Sequence, residues 1–102
     1  MFKFKIDKYK RTRGGHSRLL ELDCAKCNTN LCYYQKDGPG IIKRLYLDRL
    51  VKPKFNNDKQ LVCPKCRRVL GIKYVYEKEK RLAYRLFVGA INKKIVNIAD
   101  MM

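Results

Sequence analysis

The sequence predicts a small all-β protein built from antiparallel sheets. Two observations support this prediction: several short runs in which apolar and polar residues alternate, and a pair of Cys-x-x-Cys motifs. Alternation with a period of two is typical of a half-buried strand, and a thiolate pair at this spacing can take two corners of one metal tetrahedron. We predict one domain over residues 1–102, pinned by a four-cysteine zinc site, with residues 8–18 forming a basic flexible arm or loop.

The two motifs supply a complete ligand set for a structural metal ion. They are separated by 35 residues and read Cys24-Ala25-Lys26-Cys27 and Cys63-Pro64-Lys65-Cys66. Four thiolates form the shell that structural Zn²⁺ prefers, and they leave no open position for a catalytic water. Asn28 follows the first motif and tolerates the left-handed backbone that such a turn often needs. We therefore expect Zn²⁺ on the four motif cysteines.

The charge of the chain predicts an anionic partner. Its 25 Lys and Arg outnumber 9 Asp and Glu, which gives a formal charge of +16. Four ionised cysteines would subtract four charges and Zn²⁺ would add two, leaving +14. An excess of this size favours nucleic acid as the partner.

No stretch of about 18 apolar residues is present, and no apolar run follows the basic N-terminus. The cysteine pattern suits a reducing compartment, so we expect an intracellular, cytoplasmic protein without a membrane partner.

The N-terminal third divides into strands and the basic arm. Phe2 to Ile6 alternates and predicts an edge strand, while Leu19 to Asp23 predicts a strand that leads into the first motif. The arm between them carries five cations, two glycines and one tyrosine, which suits a segment that lies along phosphates. His16, within the arm, is expected to be solvent-exposed.

The sequence pattern of residues 41–51 allows two secondary structures. Residues 41–51 fit both a helical stripe and a strand face, but the preceding Asp-Gly-Pro-Gly turn and the following Pro53 favour a strand. We therefore predict a hairpin of residues 30–36 and 41–50. Cys32 lies in the first of these strands and is expected to be a buried, inert thiol, with a ligand exchange or a redox role as alternatives.

The C-terminal third predicts three strands. Residues 69–76 form the first, a charged tip at 77–80 reverses the chain, and residues 81–88 alternate cleanly. Gly89 predicts a bulge or bend before a last strand at 91–96. Beyond the two Cys-x-x-Cys motifs the sequence shows no long internal repeat.

The second motif, continued to Leu70-Gly71, resembles the Cys-Pro-x-Cys…Leu-Gly turn of zinc ribbon proteins. Zinc ribbons usually have about 15–20 residues between their cysteine pairs. The longer spacing here is similar to that of the β-tent class, which includes Yippee-like domains and methionine sulfoxide reductase B. This resemblance implies two antiparallel sheets pinned by zinc at their apex. Arg67 stands where a glycine is common, so the second turn is expected to be less regular than the first.

Together these features predict a zinc protein that binds RNA, as a ribosome-associated or ribonucleoprotein component. Single-stranded or irregular RNA is favoured over duplex DNA because no recognition helix is evident. A module that docks an acidic protein is the alternative, and a thiol-dependent β-tent enzyme is a remote one. Catalysis is not expected, because no nucleophile or acid accompanies the single histidine. The expected nucleic-acid contacts are Lys8, Tyr9, Lys10, Arg11, Arg13, Arg18, Lys43, Arg44, Arg49, Lys93 and Lys94.

Overall fold

The computed structural model describes Phe4, Asp7 and residues 17–38, 41–56 and 58–96. These residues form eight strands and one 3-10 turn, Leu47–Arg49. The strands are β1 (Ser17–Cys24), β2 (Asn30–Asp37), β3 (Arg44–Tyr46), β4 (Leu50–Val51), β5 (Gln60–Val62), β6 (Val69–Tyr76), β7 (Arg81–Leu86) and β8 (Ile91–Val96).

The strands form two four-stranded antiparallel sheets, which confirms the all-β prediction. In the first sheet the order is β4-β2-β1-β8, and in the second it is β3-β7-β6-β5. Every pairing is antiparallel. One cysteine motif lies between β1 and β2 of the first sheet, and the other lies between β5 and β6 of the second. Each sheet therefore contributes one Cys-x-x-Cys turn.

The two motif-bearing hairpins repeat the same local structure. Residues 22–31 and 61–70 share Leu, Cys, Lys, Cys and Leu at five of their ten positions. In both hairpins the strand register shifts just before the first cysteine, between Leu22 and Asp23 and between Leu61 and Val62. The repeat is thus longer than the sequence analysis indicated. The five positions that differ lie between the shared ones and hide the similarity.

One hydrophobic core joins the two sheets. Leu22 and Leu61, at equivalent positions of the repeat, are fully buried in it together with Leu31 and Leu70. Tyr84 of β7 is also buried there, and its ring meets that of Phe55 edge to face at 6.0 Å. Its hydroxyl donates a 2.8 Å hydrogen bond to the backbone carbonyl of Asp58. Burial of apolar side chains from both sheets makes the sheets one packed unit.

The predicted hairpin of residues 30–36 and 41–50 is wrong except at its end, where Leu50 pairs with Tyr34. β3 pairs with β7 in the second sheet, and the chain then crosses through the 3-10 turn to β4, which pairs with β2 in the first. Residues 41–51 are therefore neither one strand nor a helix. Because alternating polarity indicates a strand but not its partner, the sequence pattern could not show that this short segment serves both sheets.

The remaining strand predictions are confirmed where the structure describes them. The strands at 69–76 and 91–96 have the predicted bounds, whereas the one predicted at 81–88 ends at Leu86. Gly89 lies in the turn before the last strand with φ +71°. Most of the predicted edge strand at 2–6 and of the arm at 8–18, including His16, lies outside the described residues. Among the residues that are described, no helix is long and apolar enough to cross a membrane.

Candidate metal centre and basic surface

Each Cys-x-x-Cys motif forms a tight turn between neighbouring strands. Cys24 ends β1 and Cys27 lies in the turn before β2, while Cys63 and Cys66 lie in the turn between β5 and β6. The four sulfur atoms lie within 4.8 Å of one another. Because the first pair belongs to one sheet and the second pair to the other, the cluster marks the point where the two sheets meet.

The two turns are closed by equivalent backbone hydrogen bonds. In the first turn the Cys24 N–H donates to the Thr29 carbonyl over 2.9 Å, and the Asn28 N–H donates to the Cys24 carbonyl over 2.8 Å. In the second, the matching bonds of 2.9 and 3.0 Å run from Cys63 N–H to the Arg68 carbonyl and from Arg67 N–H to the Cys63 carbonyl. The backbone therefore presents both cysteine pairs in the same way.

Both turns contain a non-glycine residue in the left-handed region. Asn28 has φ 61°, as its position after the first motif predicted, and Arg67 has φ 66° at the equivalent position of the second. The expectation that Arg67 makes the second turn less regular is wrong, since that turn keeps the hydrogen bonds of the first. A side chain other than Gly, Asn or Asp in this conformation costs about 1–2 kcal/mol. The second turn therefore carries a strain that the first largely avoids.

Two of the sulfur–sulfur distances are close to the edge of a tetrahedron around one metal ion. Cys24 and Cys66 place their sulfurs 3.7 Å apart, and Cys27 and Cys63 place theirs 3.5 Å apart. A tetrahedron with metal–sulfur bonds of about 2.3 Å has edges of about 3.8 Å. Both of these short contacts join one sheet to the other, so an ion at the centre would cross-link the sheets.

Cys27 and Cys66 have pKa values shifted in opposite directions. A side-chain hydrogen bond between the Cys27 sulfur and the Thr29 hydroxyl, over 3.1 Å, is the main cause that lowers the pKa of Cys27 to about 6. At Cys66 the backbone N–H of Arg68 favours the thiolate, but burial and the neighbouring thiols outweigh it and raise the pKa to about 11. One thiolate therefore forms easily and makes the next harder to form. A divalent cation would remove that mutual repulsion.

Cys32 is separate from this cluster. It lies on β2, fully buried in the hydrophobic core, and it does not belong to the group of four sulfurs. Burial, and to a smaller extent the charge of Asp23, raises the pKa of Cys32 to about 12. Since the thiolate is the reactive and metal-binding form, a buried thiol of this kind is inert at neutral pH. This placement agrees with the prediction of a buried, inert cysteine.

Four exposed cations surround the cysteine turns. We call Lys26, Lys65, Arg67 and Arg68 the apex cations. Residues 24–29 and 63–68, which form the two turns, contain no Asp or Glu. A four-thiolate site with a divalent ion carries two negative charges, so the four cations would neutralise it and leave a positive surface.

The residues expected to contact nucleic acid differ in their exposure. Arg18, Lys43, Lys93 and Lys94 are exposed and Arg44 is half-buried. Arg49 differs from the expectation: its side chain is buried and bound to the carboxylates of Asp7 and Asp37. The Arg49 guanidinium is therefore not part of the exposed basic surface. The remaining expected contacts lie outside the described residues: Lys8, Tyr9, Lys10, Arg11 and Arg13.

The sequence analysis missed an aromatic and cationic layer on the second sheet. The Arg81 guanidinium lies 3.7 Å above the centre of the Tyr46 ring, and the Arg44 guanidinium lies 4.0 Å above that of Tyr76. Arg44 also donates hydrogen bonds to the hydroxyls of Tyr74 and Tyr46, at 3.0 and 3.3 Å. The alternation of Tyr74 and Tyr76 on β6 could have indicated the aromatic part of this layer. Its arginines could not be found in the same way, because Arg44 comes from β3 and Arg81 from β7.

Comparison with protein-family models, curated proteins and solved structures finds no match to this chain.

Proposed function

We propose that the protein holds one structural Zn²⁺ through Cys24, Cys27, Cys63 and Cys66, and that the fold so stabilised binds RNA. Zinc is the ion that best suits four thiolates in tetrahedral geometry. All four positions would be filled by the protein, so the ion would supply folding free energy and no site for a bound substrate. The zinc part of the proposal draws its support from the sulfur spacing.

The distribution of charge is the observation that best supports RNA binding. Two buried arginines, Arg49 and Arg81, pair with four carboxylates, those of Asp7, Asp37, Asp48 and Glu79. The other 23 Lys and Arg of the chain are left against only 5 Asp and Glu. Apart from these ion pairs, the chain is therefore strongly basic. Such a basic chain attracts a polyanion and releases its counterions on binding.

Several features favour RNA over duplex DNA as the polyanion. The described residues contain no helix that could enter a major groove. Small β proteins bind unpaired nucleotides through cationic grooves and aromatic side chains, and this chain has seven Tyr and four Phe. In this proposal the apex cations and the exposed Arg18, Lys43, Lys93 and Lys94 contact phosphates, together with the cations of residues 8–13. Ribosomal or other ribonucleoprotein RNA is the proposed source.

A salt titration of the zinc-loaded protein tests this function. We expect log Kd for single-stranded RNA to depend linearly on log salt, with RNA preferred over duplex DNA. Each lost phosphate contact should reduce the slope by about 0.7, so changing Lys10, Arg11 and Arg13 together to Ala should reduce it by about 2. The matched control changes the exposed Lys54, Lys59 and Lys78 to Ala and removes the same charge. An equal loss in both triple variants, or weak binding to every polyanion alike, would contradict the proposal.

A second candidate function is the docking of an acidic peptide with apolar side chains. A groove of about 390 Å³ is lined by exposed Ile41, Phe87 and Val88 and flanked by Lys43 and Arg85, with no carboxylate in its lining. Charge complementarity favours such a peptide over a second copy of this basic chain. Val88→Asp should abolish peptide binding and leave RNA binding intact, whereas Val75→Asp, at an exposed position outside the groove, should change neither. If Val88→Asp weakens only RNA binding, this second candidate is wrong.

A further inference from the structure

A cavity of about 300 Å³ lies between the end of β2 and the start of the second sheet. Its wall includes Tyr34 and Asp37 from β2, Lys43 and Arg44 at the start of β3, and Arg49 from the 3-10 turn. The volume is at the lower end of the range for sites that hold small organic ligands. The cavity is unrelated to the cysteine cluster and contains none of its ligands.

The lining of this cavity is rich in cations and has one carboxylate. The cationic residues are Lys36, Lys43, Arg44, Arg49 and Arg81. The carboxylate, Asp37, is already satisfied: one oxygen accepts hydrogen bonds from Ser17 and Gln35, at 2.6 and 2.9 Å, and the other accepts from Arg49 at 2.9 Å. The Asp37 carboxylate would therefore repel a bound anion only weakly.

Arg44 is held in place without losing its charge. Its Nε and one terminal nitrogen donate to the hydroxyls of Tyr74 and Tyr46, and its guanidinium stacks on the ring of Tyr76. These partners are neutral, and no ion pair to Arg44 occurs in the described part of the chain. Two of its five N–H donors are used, so three are left for a ligand. A fixed, half-buried guanidinium with spare donors is well suited to bind phosphate.

Two further donors in the cavity wall are incompletely used. Arg49 is buried, yet its Nη1 makes no hydrogen bond within the described residues, and the Asp48 carboxylate is 3.8 Å from it. The buried hydroxyl of Tyr34 accepts a 2.9 Å hydrogen bond from the Tyr46 N–H, and its own proton has no acceptor among those residues. The cavity therefore offers donors in excess of acceptors. A ligand that supplies several acceptor oxygens and negative charge would satisfy them.

We propose that this cavity binds the phosphate group of one nucleotide. Arg44 and Lys43 would contact the phosphate oxygens, with Tyr34 and Arg49 as donors at the cavity floor, and the nucleoside would lie toward Ile41 and Ile42, which also line the cavity. This inference deepens the proposed function, and it rests on that function only where it names RNA as a source of the nucleotide. A free nucleoside monophosphate carries the same chemistry.

A titration of the zinc-loaded protein tests the cavity directly. The three ligands are a nucleoside 5′-monophosphate, inorganic phosphate and the unphosphorylated nucleoside. At constant ionic strength we expect saturable binding of the monophosphate, weaker binding of phosphate and no binding of the nucleoside. NMR shifts of cavity residues or calorimetry would measure this binding. Arg44→Gln should weaken monophosphate binding by about tenfold or more. Lys43→Ala should weaken it as well, and because Lys43 is exposed, that variant keeps the fold intact.

Arg85→Gln is the matched control, because Arg85 lies directly opposite Arg44 in the β3–β7 pairing, is exposed and is not in the cavity lining. It removes the same charge and should leave monophosphate affinity unchanged. If wild-type protein shows no saturable monophosphate binding, or if the Arg44 and Arg85 variants lose it equally, the cavity proposal is overturned.

RNA oligonucleotides with and without a 5′-phosphate separate the two sources. A preference for the phosphorylated end that disappears in Arg44→Gln supports the cavity and identifies an RNA terminus as the source. Monophosphate binding without any affinity for RNA also supports the cavity, but contradicts the proposed RNA function. Conversely, RNA binding that persists while the monophosphate does not bind overturns the cavity proposal alone.

Discussion

Arg49 and Asp37 form a buried ion pair between the crossover segment and the first sheet. The Arg49 Nε donates to the Asp37 carboxylate over 2.9 Å, with side chains only 1% and 4% exposed. Asp37 ends β2, whereas Arg49 lies in the 3-10 turn that carries the chain from β3 to β4. Asp7 approaches the same guanidinium at 2.6 Å. The pair therefore fixes the point at which the chain leaves one sheet for the other.

This pair predicts a loss of stability in acid. Burial alone would raise the pKa of Asp37, but hydrogen bonds from Ser17, Gln35 and Arg49 hold it below its ordinary value. A lowered pKa in the folded state means that the carboxylate stabilises the protein above the pKa of the unfolded chain. That contribution is lost as pH falls through the folded value. We expect the free energy of unfolding in urea to decrease below about pH 4 partly for this reason.

Asp37→Asn should flatten this dependence below about pH 4, while lowering stability at pH 7 by about 3 kcal/mol because Arg49 loses a charged partner. Asp58→Asn, at an exposed carboxylate, is the control. Acid also releases metal by protonating thiolates, so the comparison is made over the pH range in which both variants keep their Zn²⁺. Parallel curves for the two variants would show that Asp37 does not contribute.

Metal removal should unfold the protein. We expect one Zn²⁺ per chain, and a chelator should abolish the cooperative thermal transition because the apex loses its cross-link. Cys63→Ser should lose the metal, whereas Cys32→Ala should retain it at a stability cost of about 1–2 kcal/mol for the small cavity left. Elemental analysis of the purified variants with thermal melts checks both. Metal retention in Cys63→Ser would place the site elsewhere.

Adjacent arginines should respond oppositely to glycine substitution. Arg67 has φ 66°, so Arg67→Gly should relieve strain and stabilise the protein by about 1 kcal/mol. Arg68 is exposed and is not among the residues with positive φ, so Arg68→Gly should destabilise it by about 0.5–1 kcal/mol. Both changes remove one charge beside the metal site. Urea unfolding of the two zinc-loaded variants measures the difference, and a shift of the same sign in both would rule out backbone strain as its cause.

Gly71 should not tolerate a side chain. A Cβ at this position would lie 2.7 Å from the backbone carbonyl oxygen of Arg85, and backbone atoms of a paired strand cannot easily move away. We expect Gly71→Ala to destabilise the protein by about 2–3 kcal/mol, as overpacking does. Gly89→Ala is the comparison, because that position has open space and only a positive φ. It should cost about 1 kcal/mol, and a larger loss there than at Gly71 would refute the steric argument.

The parts of the fold that could be predicted are those governed by neighbouring residues. Alternation gave the bounds of β6 and β8, and Cys-x-x-Cys spacing gave the four clustered sulfurs. The rest depends on partners distant in sequence. Arg49 was expected at the surface. Its two carboxylate partners lie 42 and 12 residues away in the sequence, so no local pattern indicated that they would bind it in the interior. The arginine–tyrosine layer likewise joins β3, β6 and β7, and no local pattern specifies which strands become neighbours.

The division of the cysteine cluster between two sheets also sets an order for the growing chain during translation. The first turn is complete soon after Cys27 is made, but it offers a passing ion only two ligands. Cys63, which lies beside Cys27 in the finished cluster, is 36 residues later in the chain. Because domains fold as units and the nascent chain emerges from its N-terminus, the ion can be locked in only after Cys66 has left the ribosome. We infer that metallation waits until the second turn has been made, and that it then joins the early hairpin to the late one in a single step.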